Sequence, residues 1–496
     1  LLADPSVIGV YEKNVPLIDR FIYNIGCVMA VKKSEQKRAL DIGDESYGMN
    51  MFQMKATAEV SSYLPKLSHI TFYFAGVSGD KGRGIYVLHN SRESKGTVIV
   101  HQPGKGVREV TPELWSSFMH SMSGDEQTDD EARAEAASKW NVLYARNMEQ
   151  VGKHLNHAIG AYISASSGGT VLLVQAPPGA GVDPAQDTSS VREGLAGRLS
   201  ALMPASGRLP IVFRPPNLSD SDLSTDAARG WQLDAAKIAS ARVVESAEWL
   251  KEHVEIASYA HIPVGNLKSD WWVHTADAFF ARTLHDAEQV LWTGPGGEPD
   301  LGGGASAVSL SGLDDAYGAS RMEVTAPGAY RSVCVELQVH HLAVCAISKS
   351  SILNDLEQGA LLGFETGTKG TTRMGGHEAA GAFKTLNKLV DNWLRDATDH
   401  HNTYADQLLS QIHRWLFSPS SALRDPALKN LVELCMKKVF TLLLAELRKL
   451  QVEVVYADMR RIIIATGKHD LASASACVEG LKTVSYTHLR AHETHE

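Results

Sequence analysis

The stretch Val454–Thr466, V-V-Y-A-D-M-R-R-I-I-I-A-T, constrains the fold more tightly than any other part of the chain. Two runs of β-branched and aromatic residues flank a polar centre, Asp458-Met459-Arg460-Arg461. Branched and aromatic side chains suit a pleated, half-buried strand and charges suit a turn, so the stretch predicts a tight β-hairpin. Before it, Leu428, Leu431, Val432, Cys435, Val439, Leu442, Leu443 and Leu450 recur at helical spacing and predict an amphipathic helix over Ala427–Leu450. After it, Leu471–Lys482 reads as a further helical stretch. Helix, hairpin and helix predict an α+β layer, with helices on one face of an antiparallel sheet.

The remainder divides by pattern. Val15–Val31 is largely apolar and predicts a helix and then a strand, with Gly26 between them. From Leu67 the chain turns β-rich. Ile70–Phe74, Gly84–Leu88 and Thr97–Val100 predict strands of a meander. Gly124–Lys139 is acidic and alanine-rich, as in a solvated helix or surface insert. Thr170–Val174 predicts a buried strand that ends at Pro177–Gly181. No G-K-[ST] follows those glycines, and proline removes backbone donors, so a phosphate loop is not expected there. Gly207–Phe213 predicts another strand, 216–226 a loop and Ala235–Ala260 a helix. Trp271, Trp272, Phe279, Phe280 and Trp292 cluster without interleaved basic residues. A core or an interface suits them better than a base-stacking platform. Gly294–Gly318 and 357–381 read as glycine-rich loops, and Phe383–His400 and Tyr404–Leu416 as helices. His400 and His401 point in different directions and are expected to cap the first of these helices rather than share a metal.

A chain of 496 residues buries a sizeable core and normally holds two or three domains. Its hydrophobic content of 44% and charged content of 21% are those of a globular protein. No apolar run approaches the ~20 residues of a membrane span. The chain opens on Leu1 with no signal-peptide pattern, and it is expected to be a piece of a longer protein. A net charge of −9 argues against strong nucleic-acid binding, which usually shows a basic balance or stripe. The five cysteines are scattered, mostly inside apolar runs, and are expected to be small buried hydrophobes.

The hairpin and the residues before it resemble the palm domain of the B-family DNA polymerases. That hairpin carries two aspartates one residue apart after a strand similar to Val454–Ala457. Asp458 matches the first, and Arg460 stands where the second belongs. Pro327-Gly328-Ala329-Tyr330 is similar to the segment before the family's other palm carboxylate, whose place Glu336 takes. The tyrosine that screens the sugar in active enzymes becomes His341. Tyr404–Gln407, Arg414–Leu428, His261–Leu267, Pro299–Gly303 and Asp4–Leu17 narrow the likeness further. They resemble the second half of a large replicative subunit of this family, an exonuclease–polymerase module that has lost its catalytic residues. The likeness covers roughly residues 3 to 484.

The resemblance implies a fold of α/β plus α+β: a degenerate B-family exonuclease-like domain, then a palm with a helical fingers insertion. The expected divisions are 1–68, an N-terminal portion; 69–292, exonuclease-like; 293–325, a crossover; 326–356, palm; 357–430, fingers-like; and 431–484, palm. Residues 485–496 look like a translated sequencing adaptor, and the helical spacing of His488, His492 and His495 is set aside with them. Two-metal exonuclease chemistry needs converging carboxylates. Ile70–Phe74 runs into Ala75-Gly76-Val77-Ser78, Gln175 is followed by Ala-Pro-Pro-Gly, and no Y-x-x-x-D occurs between Gly230 and Glu255. Asp80, Asp183 and Glu255 fall on loops or polar faces. The fingers helix lacks the family's lysine, and Arg414 is the remaining candidate for a phosphate contact. At the palm, Arg460 or Arg461 is expected to pair with Asp458 or Glu336 in place of a metal.

The implied function is structural: a nuclear, leading-strand replication module that docks the replicative helicase assembly and an accessory second subunit. No catalytic, cofactor or metal residue is expected beyond the degenerate positions Glu336, His341, Asp458 and Arg460. Magnesium and the family's cysteine-rich metal motifs are expected elsewhere in the longer protein. The alternatives are an active DNA polymerase with substituted ligands, since glutamate binds magnesium and Asp458 is retained, and a DNA-binding module without chemistry.

Overall fold

The computed structural model describes residues 14–37, 51–55, 67–76, 83–104, 106–123, 130–165, 169–175, 197–214, 230–268, 270–291, 324–349, 375–449 and 452–479, with a few single positions beside them. In chain order the elements are α1 (Leu17–Asn24), β1 (Met29–Val31), β2 (Phe52–Met54), β3 (Ser68–Gly76), β4 (Gly84–Asn90), β5 (Lys95–His101), α2 (Pro112–Ser123), α3 (Asp130–Ser138), β6 (Trp140–Ala145), α4 (Met148–Ala165), β7 (Thr170–Gln175) and β8 (Ile211–Arg214). They continue with α5 (Trp231–Ala260), α6 (Trp271–Asp286), β9 (Val324–Thr325), β10 (Cys334–Gln338), α7 (Leu342–Ser348), α8 (Gly375–Thr398), α9 (Thr403–Phe417), α10 (Pro426–Lys449), β11 (Glu453–Ala457), β12 (Arg461–Ala465) and α11 (471–479). Contacts divide the chain into two units, Lys55–Ser269 and Leu1–Met54 with Asp270–Glu496. Among the described residues no helix is long and apolar enough to cross a membrane.

The unit Lys55–Ser269 is a mixed sheet in the order β6-β5-β4-β3-β7-β8. β4 runs antiparallel to β3 and β5, whereas β3–β7, β5–β6 and β7–β8 are parallel. All strands but β4 therefore end at one edge. Both faces are buried, which is why β4, β5 and β7 read as near-continuous apolar runs rather than alternating ones. On one face Ile70, Leu88, Ile99 and Leu172 meet Val151, Leu155 and Ile159 of α4. On the other, Val87 and Val98 meet Trp115 of α2 and the small face of α5, Ala235, Ala236, Ala239 and Val243.

A short polar seam crosses that second face. The His89 ring stacks on Trp140 with centroids 5.4 Å apart. Its Nδ1, the Nε2 of His69 and the Oγ1 of Thr71 have no hydrogen-bond partner among the described residues. Burial holds the His89 imidazole neutral, down to about 4, with the neighbouring His69 adding to the effect. Burial also pushes His69 down, and it takes His253 to about 4.

The other unit combines a helical bundle with the four-stranded antiparallel sheet β10-β12-β11-β9. Phe279 and Phe280 of α6 pack edge-on against Trp393 of α8 and Trp415 of α9. Asp277, 2% exposed, ties this bundle together. It accepts from Trp415 Nε1 at 2.8 Å, Ser421 Oγ at 2.7 Å and the Ala422 backbone N–H at 2.8 Å. The aromatic cluster is thus core, as expected, although Trp292 lies outside the described residues.

The hairpin, the helix before it, the helix after it and the three-strand meander stand close to where the sequence puts them. Three local expectations change. α8 begins at Gly375, inside the expected loop 357–381. Its glycines lower helix propensity and read as a loop, yet the helix includes them. Gly207 and Arg208 belong to a 3₁₀ turn that opens at Pro204, and β8 starts only at Ile211. His400 and His401 are exposed at the end of α8, His401 with a left-handed φ of 50°, and Asn402 caps the start of α9, its side chain accepting from Tyr404 N and Ala405 N. Cys345 and Cys435 are buried, but Cys334 is exposed because β10 alternates. Residues 177–181, 216–226, 294–318, 357–374 and 485–496 lie outside the described residues, as do Asp80 and Asp183.

A histidine whose folded pKa is depressed binds more protons unfolded than folded, so stability falls as pH drops from about 6.5 towards about 4. For His89 alone the loss is on the order of 3 kcal/mol once the pH is below both values. Thermal melting of the unit Lys55–Ser269 within the chain, followed through its buried tryptophans, should therefore come several degrees lower near pH 5 than near pH 7.5, and His89→Gln should flatten that dependence. Equal melting at both pH values would contradict this account.

Candidate functional site

The open face of the four-stranded sheet holds the residues singled out from the sequence. Glu336 of β10 and Tyr456 of β11 both lie opposite Ile463 of β12. The register slips between Val454 and Tyr456, and this bulge sets Tyr456 on the same face as Glu336. At the turn, Asp458 Oδ1 accepts from the backbone N–H groups of Arg460 and Arg461, each at 2.8 Å. Asp458 Oδ2 accepts from the Tyr456 hydroxyl at 3.0 Å and faces Arg461 Nε at 3.8 Å. The Arg461 guanidinium lies 5.0 Å from the centre of the Tyr456 ring. Partial burial works against the Asp458 carboxylate, but the two N–H groups, the tyrosine hydroxyl and Arg461 outweigh it and hold the acid below its usual range.

Asp458 is therefore the staple of its own hairpin. A divalent cation would have to displace these donors and then share the site with a guanidinium. Glu336 does not complete a cage. Gln338, not Glu336, is the register partner of Arg461, which sets Glu336 about 7 Å further down the sheet. Arg460 is exposed, and its carbonyl accepts from Val339 N at 2.7 Å, which brings His340 and His341 beside the turn. His341 takes a left-handed φ of 54° as it leads into α7. Burial pulls its imidazole down and Asp406 opposes. Of the two arginines proposed from the sequence, Arg461 is the one beside Asp458. The pair is weak on its own, since half of the Arg461 side chain is exposed. Among the described residues no three His, Cys, Asp or Glu side chains converge as a metal site. Arg414, the candidate for a phosphate contact, is committed to Asp270 at 2.7 Å and lies over Trp272.

A second network occupies the carboxyl edge of the six-stranded sheet, where α/β folds commonly bind ligands. Arg214, at the end of β8, donates to Gln175 Oε1 at 3.1 Å, Ser246 Oγ at 3.2 Å and Glu245 Oε2 at 3.2 Å. Arg242 donates to the same Glu245 oxygen at 2.6 Å. Ser246 in turn donates to Gln175 Oε1 at 3.1 Å. Two guanidiniums and an amide thus stand at the end of β7 and β8. Glu255, the remaining described acid weighed from the sequence, is exposed on α5 beside the buried Ile256 and Ala257. Sequence reading identified Gln175 but not Arg214, Arg242 and Glu245, because β8 and α5 are brought together only by the fold. The three-residue spacing of Arg242 and Glu245 on a helix was the one local signal.

Removing Arg214 leaves Gln175 and Ser246 short of a donor and Glu245 with one guanidinium. Arg214→Ala should cost about 1–3 kcal/mol in urea unfolding, discounted because Glu245 is partly solvated. Arg214→Lys should not restore it, since an ammonium cannot reproduce the planar fork. An unchanged midpoint in either variant would show that the network holds nothing together.

Residues 112–489 match the family model described as a domain of unknown function, DUF1744. The chain is also similar to proteins named DNA polymerase epsilon catalytic subunit. Two such proteins of Arabidopsis thaliana are 34% and 33% identical to it over 97% and 98% of the chain. The Schizosaccharomyces pombe protein of that name is 24% identical over 94%. The chain spans about a fifth, 21%, of the length of each of these relatives. The chain therefore belongs to the DUF1744 domain family and is homologous, over nearly its full length, to DNA polymerase epsilon catalytic subunits.

Proposed function

We propose that this chain is a non-catalytic structural module of a DNA polymerase epsilon catalytic subunit, serving DNA replication as a scaffold of the leading-strand replisome. One observation carries the reading: Asp458 at the hairpin and Glu245 beside the six-stranded sheet are engaged by internal guanidiniums rather than free to gather metals. At the hairpin, Asp458 is engaged by its own turn and by Arg461. At the other sheet, Arg214 and Arg242 converge on Glu245 beside Gln175.

In this reading residues 69–292 are the degenerate exonuclease-like domain, whose sheet lies in the unit Lys55–Ser269. The four-stranded sheet is the palm, and α8 and α9 are the fingers-like insertion. Magnesium-dependent polymerisation belongs to the rest of the longer relatives, and so do the cysteine-rich metal motifs. The partners are the replicative helicase assembly and the accessory second subunit. DNA contact is weak, and the setting is the nucleus. The names of the relatives and the match over almost the whole chain support this context.

Primer extension and degradation of labelled single-stranded DNA, with magnesium or manganese, test the proposal. Neither should rise above background with correctly folded chain. Extension that vanishes in Glu336→Gln would overturn the reading and restore the palm as an active site.

A further inference from the structure

The helix α1 carries apolar side chains on two sides, and only one side is covered. On the inner side Ile22 and Tyr23 are buried together with Asp19. Arg282 of α6, itself buried, donates to the Ile22 carbonyl at 2.9 Å and pins the helix there. On the outer side Leu17, Ile18 and Phe21 are 82%, 63% and 58% exposed. At 3.6 residues per turn these three side chains share an arc of about 100° and form one stripe. The polar groups lie along its edge and are turned to the backbone. Arg20 donates to the Glu12 carbonyl at 2.6 Å and Asn24 to the Arg20 carbonyl at 2.7 Å. The Glu12 carboxylate accepts from the Leu291 N–H at 2.9 Å, and Val290 beside it is exposed as well.

A single exposed leucine or valine is ordinary, but three large apolar side chains abreast on a helix pinned from below mark a contact surface. The size of the stripe decides what covers it. Complexes between free partners bury roughly 1,200 Å² or more in total. Three side chains supply only a few hundred of that, so the stripe by itself sustains neither a dimer nor the capture of a separate protein. A tether removes this demand, because it holds two surfaces together at a high effective concentration. The chain spans 21% of the length of its relatives, so about four-fifths of such a polypeptide is available as a tethered neighbour.

We propose that the stripe of Leu17, Ile18 and Phe21 docks an apolar face of another part of the same, longer polypeptide and so fixes this module to the remainder of its subunit. The inference rests on the chain's being a module of that subunit, as proposed above. The occupant presents branched or aromatic side chains to the stripe. A contact this small positions the module and still lets it move, as is usual between domains of one chain.

Hydroxyl-radical footprinting read by mass spectrometry tests this on native side chains. The 496-residue chain and the full-length subunit that contains it are oxidised side by side, with Leu471 of α11, 73% exposed, as the reference. Phe21 should be oxidised about fivefold more slowly in the full-length subunit, as its exposure falls to that of a core residue. Leu17→Asp, at a position exposed in the chain, should leave the chain's melting temperature unchanged yet restore Phe21 oxidation in the full-length subunit, since a carboxylate is costly in a covered apolar contact. Phe21 oxidised equally fast in both proteins, or slowed no more than Leu471, would overturn the proposal. So would protection that appears in the chain alone as its concentration rises, which marks a second copy, or in the full-length subunit only after a separate protein is added. Primer extension reads the absence of catalysis independently, so an active palm would leave the footprint to stand or fall by itself.

Discussion

Asp458 closes the β11–β12 hairpin with its own carboxylate, and the four-stranded sheet follows from that closure. Two backbone N–H groups on one oxygen fix the turn, and the tyrosine hydroxyl and a guanidinium hold the other. With the turn fixed, the register of β11 on β12 is fixed. β12 then sets β10 through five paired positions, and β11 sets β9. A slip of one residue would turn Ile462 and Ile464 out of the core and bring Ile463 and Arg461 in. The acid thus does structural work with the oxygens that ligation would require.

The two units reach similar chemistry by different routes. At the hairpin the cation is local in sequence and half solvated, so it contributes mainly direction and contact with the Tyr456 ring. At the edge of the six-stranded sheet the cations are well shielded, and a single carboxylate serves both. There, loss of one partner leaves buried polar atoms unmet, which is the costlier fault. In both places a guanidinium beside the acid opposes entry of a divalent ion while offering the carboxylate a geometry it favours. A polymerase or exonuclease needs the reverse: acids free of internal partners and close enough to share metal ions.

Much of the secondary structure was legible because period and length agree with burial. The helix over Pro426–Lys449, the hairpin and the three-strand meander carry strong patterns. What failed was set by tertiary contacts. Gly375–Gly381 reads as loop, yet the helix runs through it. The cap at the start of α9, Asn402, was not singled out from the sequence, although its side chain accepts from two backbone N–H groups there. At the site, Glu336, Asp458 and Arg461 were legible from the hairpin pattern and the family likeness. The pairing of Arg214 with Glu245 was not, because no local rule joins the end of a strand to a helix turn across a segment of this length. Arg414, weighed as a phosphate contact with its register left open, pairs with Asp270, a partner remote in sequence that no local pattern pointed to.

The claim at the centre of this account is that Asp458 and Glu336 no longer form a metal site. Electron paramagnetic resonance of Mn²⁺ titrated into the chain, beside Glu336→Gln and Asp458→Asn variants, addresses it directly. The account predicts that any bound manganese is weak and the same in all three proteins. A tight site present in the parent chain and lost in either variant would contradict it and return the hairpin to catalysis.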